Sequence, residues 1–284
     1  MNFSVRRVGC MGALVGLFAV CHVNAQMQDN RQRSLTCDNA WNGDRAHHCE
    51  IREQTLAATG RLSVDPGRNG GTTIKGWLEN QVLVRARVET WAETDSEAAS
   101  LAPQIRVDAN TGQVTASGPD SQSANGRNNT GWSVSYEIFV PQVSDLDLKA
   151  NNGGITISDV RGRVQFTAKN GGVTLRRVAG DVSGSTLNGG LHVELAGNTW
   201  DGRQLEVSTT NGGITLALPD VYSAHLRTET VNGGVRSEHP AVTLQPASIG
   251  ANGRRNQNID VNLGSGGALI HVSTINGGIT VKRL

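Results

Sequence analysis

The chain has 284 residues, a formal net charge of +1, 35 glycines and only 4% aromatic residues. A near-neutral chain without basic clusters lacks the electrostatic footprint of a protein that binds nucleic acid or an anionic membrane. Because aromatic residues are scarce, the core has to be built mainly from Val, Ile, Leu and Thr, which favours narrow stacked strands over a thick core.

Residues 1–25 have the pattern of a secretory signal. Arg6 and Arg7 form a basic start, an apolar run follows, and Val-Asn-Ala at 23–25 supplies small-residue cleavage chemistry. The alternatives are an uncleaved anchor, for which the apolar run is short, and a lipoprotein that uses Cys21. Val20 stands where lipidation needs a small residue, so we expect release of a chain without a transmembrane span.

Cleavage after Ala25 leaves two cysteines, Cys37 and Cys49, in a polar segment at 26–60. An even pair in an oxidising compartment predicts a disulfide, and closing a loop of about a dozen residues contributes about 2–3 kcal/mol. His47 and His48 stand beside Cys49, but no second pair of ligands follows at a supporting spacing. We therefore predict no metal site and no cofactor.

Residues 61–145 predict less regular β coils. Alternating apolar residues indicate strands at 61–64, 81–88 and 132–140. Thr94 has N-cap chemistry and opens a short helix over 94–102. The segments 105–107 and 114–116 flank Asn-Thr-Gly and predict a hairpin.

Residues 146–284 are organised by the tripeptide Asn-Gly-Gly, which also occurs once earlier, at residues 69–71. Its copies are Asn152, Gly153 and Gly154; Asn170, Gly171 and Gly172; Asn188, Gly189 and Gly190; Asn211, Gly212 and Gly213; Asn232, Gly233 and Gly234; and Asn276, Gly277 and Gly278. The first five starts are separated by 18, 18, 23 and 21 residues. This spacing indicates a structural repeat.

Each copy predicts a strand, a corner and a second strand. Apolar residues stand six and four positions before most of the asparagines and three and five positions after them, as do Val164, Phe166, Val173 and Leu175 around Asn170. Strand parity places the asparagine on the inward face with these rows. Gly-Gly then shifts the phase and turns the corner, where glycine tolerates positive φ and lets adjacent backbones approach. A second corner is expected near Gly162, Gly180 and Gly197.

Two strands and two corners in 18 residues predict one coil of a β-solenoid that rises about 4.8 Å per coil. The alternative is an antiparallel sandwich in which Asn-Gly marks hairpins. Hairpin turns have no reason to recur with the same inward rows at the same offsets. We therefore expect an all-β solenoid with coils of about 18–23 residues, Asn-Gly-Gly corners and one short helix.

These features resemble the bacterial putative adhesins with β-strand repeats, the family of domain of unknown function 4097. The resemblance rests on the signal, the Cys37 to Cys49 segment running into Glu50-Ile51-Arg52-Glu53, the strand pair around residues 69–71, and the repeats. It implies a β-solenoid in the periplasm or at the cell surface with an adhesive or envelope role, and it transfers no catalytic residue. Pro240 and Pro246 interrupt the repeat between 235 and 269, where the coil path stays open.

Three classes of function remain open. The first is a non-enzymatic scaffold that contacts envelope polysaccharide or a surface protein through its outward Thr and Ser rows and through Trp200, which lies in an insertion between two repeats. The second is a polysaccharide lyase or hydrolase, which needs convergent carboxylates or a basic residue. Its candidate acids are Asp145, Asp147, Asp159, Asp181 and Glu194, which we expect to be solvated. The third is a structural envelope component without a soluble ligand.

Overall fold

The computed structural model describes residues 31–38, 45–120, 123–124, 127–128, 130–242, 248–249, 255–256 and 258–284. The predicted signal at 1–25 lies outside the described residues. Within them the chain is all-β with one short α-helix, α1, at Asp95–Leu101, followed by a 3₁₀ turn at Ala102–Gln104. The all-β class and the single short α-helix confirm the sequence prediction.

The strands are β1 (Ala46–Ala57), β2 (Arg61–Asp65), β3 (Thr72–Trp77), β4 (Gln81–Ala92), β5 (Arg106–Asn110), β6 (Gln113–Ser117), β7 (Ser123–Ala124), β8 (Arg127–Asn128), β9 (Gly131–Pro141), β10 (Asp145–Asn152), β11 (Ile155–Ser158), β12 (Arg161–Asn170), β13 (Val173–Arg176), β14 (Ala179–Asn188), β15 (Leu191–Glu194), β16 (Gln204–Asn211), β17 (Ile214–Leu218), β18 (Ala224–Asn232), β19 (Val235–Ser237), β20 (Ser248–Ile249), β21 (Arg255–Asn256), β22 (Ile259–Leu263), β23 (Leu269–Asn276) and β24 (Ile279–Arg283).

Two sheets of ten strands each make up the body of the fold, and the chain passes from one to the other along the repeats. The front sheet has the order β1-β4-β9-β3-β11-β13-β15-β17-β24-β19, and the back sheet has the order β22-β18-β23-β16-β14-β12-β10-β2-β6-β5. Successive repeats pair in parallel within each sheet. The result is a solenoid-like stack of coils.

Antiparallel strands close the N-terminal end of the front sheet. The long strands β1, β4 and β9 pair antiparallel, and β3 joins β9 to the parallel part. Helix α1 begins at its N-cap Thr94, whose hydroxyl accepts a hydrogen bond from the Glu97 amide at 3.3 Å. In the back sheet, β5 and β6 form an antiparallel hairpin.

The apolar rows of the repeat fill the space between the two sheets. Val164, Phe166, Val173 and Leu175 are each at most 3% exposed. Gly184 occupies the same row as Phe166 in the next coil, and a Cβ at Gly184 would lie 2.5 Å from the phenylalanine ring. The large ring therefore fills the space that a side chain at position 184 would need.

The asparagines form one continuous hydrogen-bonded ladder at the surface. Each side-chain amide donates to the Oδ1 atom of the neighbouring asparagine at 2.7–3.1 Å, in the spatial order 69, 152, 170, 188, 211, 276 and 232. Apart from Asn69 the members are exposed. The expectation that the asparagines of the repeats point into the solenoid is therefore wrong. Each of the six exposed asparagines lies at the last position of its strand, where the parity of the inward rows no longer applies.

The first glycine of each motif lies against the backbone of the adjacent coil. A Cβ at Gly171 would overlap the carbonyl group of Gly153, and a Cβ at Gly189 would overlap that of Gly171. Neither glycine has positive φ. Of the two expected reasons for glycine, close approach of adjacent backbones is therefore the one that excludes a side chain here, and a left-handed conformation is not.

Positive φ occurs instead near the second corner. Gly180 has φ of +101° and Gly197 has φ of +76°. Two residues that are not glycine, Asp159 (φ +59°) and Arg177 (φ +49°), occupy the left-handed region one coil apart. These two side chains bond each other, which offsets the backbone strain.

The coils do not stack in sequence order at the C-terminal end. Strands β23 and β24 lie between β16 and β18 in the back sheet and between β17 and β19 in the front sheet. The last coil of the sequence, residues 269–283, is therefore intercalated between two earlier coils. The repeat pattern alone did not predict this order.

We predict that Gly171→Ala lowers the free energy of unfolding by about 3 kcal/mol, because the new methyl group displaces a neighbouring backbone. Gly172→Ala should cost less than about 1 kcal/mol, since its Cβ would lie 3.3 Å from the Gly190 carbonyl oxygen. Gly234→Ala is the matched control, because nothing lies within 4 Å of its Cβ position. Urea unfolding of the three variants measures the difference, and equal losses would contradict the close-approach explanation.

Candidate interaction surface

A row of five threonine hydroxyl groups and one histidine ring runs across the outer surface of the front sheet. Its members pair in register on neighbouring strands and are all half-exposed: Thr73, Thr156, Thr174, His192, Thr215 and Thr280. We call this row the threonine face. It presents donors and acceptors at the strand spacing of about 4.8 Å. These six members include no carboxylate, lysine or arginine, and Arg236 of β19 follows Thr280 in the same register.

A shallow groove of about 410 Å³ follows the corner beside the threonine face. It exists because the second glycines of successive motifs have no side chains, so backbone groups are accessible there. The lining includes Gly172, Gly190, Gly213 and Gly278 together with threonines of the face. The groove and the threonine face together form an elongated, uncharged polar surface.

The same outward row continues past Thr73 into a charged region. Thr73 pairs with Glu137 of β9, Glu137 with Arg85 of β4, and Arg85 with Glu53 of β1. Residues 31–36, which we call the N-terminal strap, lie over this region. The strap therefore covers one end of the outer surface that carries the threonine face.

Glu137 is the centre of this region and is only 1% exposed. Its Oε1 atom accepts hydrogen bonds from the Ser34 amide at 2.9 Å, the Ser34 hydroxyl at 2.7 Å and Lys75 Nζ at 2.8 Å. Its Oε2 atom accepts from the Leu35 amide at 3.2 Å and from the Arg85 guanidinium. Burial alone raises the pKa of Glu137, but the bonds from Lys75, Ser34 and Leu35 outweigh it and lower the pKa from 4.5 to about 2.

A small apolar cluster lies next to Glu137 on the outer surface. It consists of Trp77, Leu83 and Phe139, and the Trp77 and Phe139 ring centroids are 5.3 Å apart. A cleft of about 340 Å³ opens above the cluster. Ion pairs between the strap and the sheet flank it, Arg31 with Glu79 at 3.5 Å and Arg33 with Glu53 at 3.4 Å.

The predicted disulfide between Cys37 and Cys49 is confirmed, with Cα atoms 5.9 Å apart. Cys49 lies on β1, and Cys37 follows the strap directly. The crosslink therefore anchors the C-terminal end of the strap to the edge of the front sheet. Sequence reasoning found the disulfide but not the strap, because an isolated Glu137 in an alternating strand gives no sign of what covers it.

Trp200 is not a surface contact, and that prediction is wrong. The side chain is 5% exposed, belongs to the main core, and donates from Nε1 to the Gly180 carbonyl oxygen at 3.0 Å. The insertion that contains Trp200 thus folds back and buries its aromatic residue against the second corner.

The candidate acids are held by basic groups or stand apart on the outer surface. Asp159, which is fully buried, accepts two bonds of 2.7 Å from Arg177, and Glu194 lies 3.5 Å from the same guanidinium. Hydrogen bonding to Asp159 raises the pKa of Arg177. Asp181 pairs with Arg203, which lowers the pKa of that carboxyl.

Two acids remain on the outer surface of the back sheet. Asp145 accepts a bond from the Arg163 amide at 2.7 Å. Asp147 pairs in register with Ser63 and Gln165. Among the five candidate acids, only Asp159 and Glu194 lie close together, and both contact the guanidinium of Arg177. This is the geometry of a structural ion pair, not of an acid–base pair poised for substrate.

The two adjacent histidines lie near carboxylates of the first strands. His47 Nε2 is 3.8 Å from Glu89, and His48 Nε2 is 3.6 Å from Glu50. Within the described part of the chain, no group of three His, Cys, Asp or Glu side chains could hold a metal ion. No helix of that part is long and apolar enough to span a membrane.

The fold and surface define a β-solenoid-like protein whose regular features are its stacked coils and outer ladders. Residues 100–282 match the family model described as Toastrack DUF4097. The chain belongs to this family, as the resemblance implied. No curated protein matches the chain.

Several solved structures match the chain at low identity. A putative cell adhesion protein from Clostridium sporogenes is 14% identical, with a TM-score of 0.40 over 84% of this chain and 100% of that one. A putative adhesin from Bacteroides fragilis is 12% identical, with a TM-score of 0.35 over 84% and 97%. A putative lipid binding protein from Parabacteroides distasonis is 10% identical, with a TM-score of 0.34 over 83% and 96%.

We predict that Glu137 makes stability depend on acid. Because its folded pKa is depressed, the stabilisation is present above the unfolded value and is lost as pH falls from about 5 towards 2, amounting to about 3 kcal/mol. Glu137→Gln should flatten this part of the stability curve, measured by urea unfolding at several pH values. Glu79→Gln, which alters an exposed ion pair of the same strap, should leave the curve nearly unchanged. Parallel curves for the wild type and Glu137→Gln would refute the assignment.

Proposed function

We propose that the protein is an exported, non-catalytic β-solenoid scaffold that holds an extended envelope polysaccharide along the threonine face. The observation that carries the proposal is the in-register row of threonine hydroxyl groups, which includes the His192 ring, beside a groove lined by exposed backbone. A surface protein that lays an extended segment along the same row is the second candidate partner.

The dimensions and chemistry of the face support an elongated neutral ligand. Six members on adjacent strands span about 24 Å at about 4.8 Å per strand. Hydroxyl groups both donate and accept, so they suit the hydroxyl groups of a sugar chain, and the lack of charge within the row gives an ionic ligand no advantage. In this proposal, coils of 18–23 residues with Asn-Gly-Gly corners serve to hold the row straight.

Export is supported by two independent features. The sequence pattern at 1–25 is that of a secretory signal. The bond between Cys37 and Cys49 is typical of an oxidising compartment. We therefore place the mature chain, without a transmembrane span after cleavage, in the periplasm or at the cell surface of a bacterium.

The absence of catalysis in this proposal rests on the acids. The buried Asp159 is held by Arg177 on both carboxylate oxygens, which leaves it unsuited to proton transfer with a sugar. A polysaccharide-active enzyme remains the alternative function, and it would release new chain ends from the bound polymer.

We expect the wild-type protein to cosediment with purified envelope polysaccharide, and the double variant Thr174→Arg/Thr215→Arg to lose affinity by at least about tenfold through steric block of the face. The matched control is Ser185→Arg/Ser208→Arg, which places the same bulk and charge on the outer surface of the back sheet. Equal binding by the two double variants would reject the threonine face as the binding site. Binding only to a surface-protein fraction would select the second partner, and release of reducing ends would favour the enzyme.

A further inference from the structure

The intercalated last coil, residues 269–283, occupies a slot between two coils that precede it in the sequence. We call these residues the C-terminal coil. One wall of the slot is formed by β16 and β17, and the other by β18 and β19. Both walls precede the C-terminal coil in the sequence, so the last segment of the chain to be synthesised lies between two earlier ones.

The C-terminal coil is held by contacts that repeat those of every other coil. Asn276 donates to Asn211 at 2.7 Å and accepts from Asn232 at 2.8 Å. Thr274 donates to the Gly212 carbonyl oxygen at 2.9 Å, as Thr209 does to that of Gly189 at 2.8 Å. Nothing in these bonds requires that the slot and the coil belong to the same molecule.

A short glycine-rich hinge connects the C-terminal coil to the rest of the chain. Residues 264–268 join β22 to β23, and these two strands flank β18 on opposite sides. Gly264, Gly266 and Gly267 have φ of +52°, +74° and +141°. Because glycine adopts positive and negative φ about equally readily, the hinge can open to an extended form at little conformational cost.

We propose that the C-terminal coil is exchanged between two copies of this chain, so that each copy fills the slot of the other and a swapped dimer forms. The partner is a second copy because only a chain with the same rows supplies the same ladder bonds. β22 stays on its own β18, and the hinge alone changes conformation. Short hinges that connect an otherwise complete element are typical sites of domain swapping. This inference does not depend on the proposed function.

The test uses two full chains with different tags, co-expressed and exported. One carries Ser208→Cys and the other Ser273→Cys, positions that pair in register on the outward side of β16 and β23. A disulfide between the two differently tagged chains forms only when the C-terminal coil of one chain lies in the slot of the other. We expect a covalent dimer that is retained through both affinity steps.

The matched control pairs Ser185→Cys in one chain with Ser208→Cys in the other. These positions also pair in register, but β14 and β16 belong to the same molecule in the closed monomer and in the swapped dimer. No mixed dimer is therefore expected. A single chain with both Ser208→Cys and Ser273→Cys checks the register, since it should form an internal bond. Internal bonding without mixed dimers would overturn the proposal, and so would equal mixed dimers in both pairs.

A variant in the hinge tests the proposal independently. Gly266→Ala strains the closed hinge at φ +74°, where the closest atom to its Cβ is 3.4 Å away, but does not strain the extended form. It should raise the mixed-dimer equilibrium constant by about five- to thirtyfold for each of the two chains that carries it, as expected from the cost of one left-handed alanine. Gly234→Ala, with open space around its Cβ, should leave that equilibrium unchanged. An unchanged dimer fraction for Gly266→Ala would reject these residues as the hinge.

Discussion

The close approach of neighbouring backbones at the first glycine of each Asn-Gly-Gly motif is the contact on which the structure depends. Gly153, Gly171, Gly189, Gly212 and Gly277 each leave no room for a Cβ beside a carbonyl group of the next coil. This contact fixes the corner, and it brings the strand end into register with its neighbour. The asparagine ladder and the buried threonine hydroxyls then bond groups that the glycine contact has already positioned. Large sheets normally twist, and a side-chain ladder of this kind keeps a stack flat.

The common register of the coils has consequences for the outer surface. Thr156, Thr174 and Thr215 lie in one register row over several coils. The strap marks the other end of that surface, where Glu137 binds two cations and two backbone amides in place of solvent. One outer surface thus contains an open polar part and a covered charged part, and the disulfide anchors the strap at the outer edge of the covered part.

The sequence predicted the features that depend on local pattern. It did not predict the features that depend on contacts with residues distant in sequence. The inward rows, the helix after Thr94 and the disulfide follow from periodicity, capping and cysteine number. The asparagine was assigned to the inward face because parity was counted through the strand end, where the chain already leaves the sheet. Trp200 was taken as exposed because an insertion usually projects, whereas here it folds back on Gly180. Glu137 was not singled out, since its partners come from residues that are distant in sequence.

The order of the coils could not be predicted for a related reason: every coil carries the same rows, so any coil can lie beside any other. Strand length and edge protection decide between the possible orders. In the front sheet, β24 of the C-terminal coil has five residues, and it has a paired neighbour on both edges when the coil lies inside the stack. The coil at 224–237 has a three-residue β19, and its β18 is covered by the antiparallel β22. A short strand and a covered edge make a safer end for a sheet, because they present few unpaired backbone groups. The same equivalence of rows that allows intercalation also allows a second copy to supply the coil.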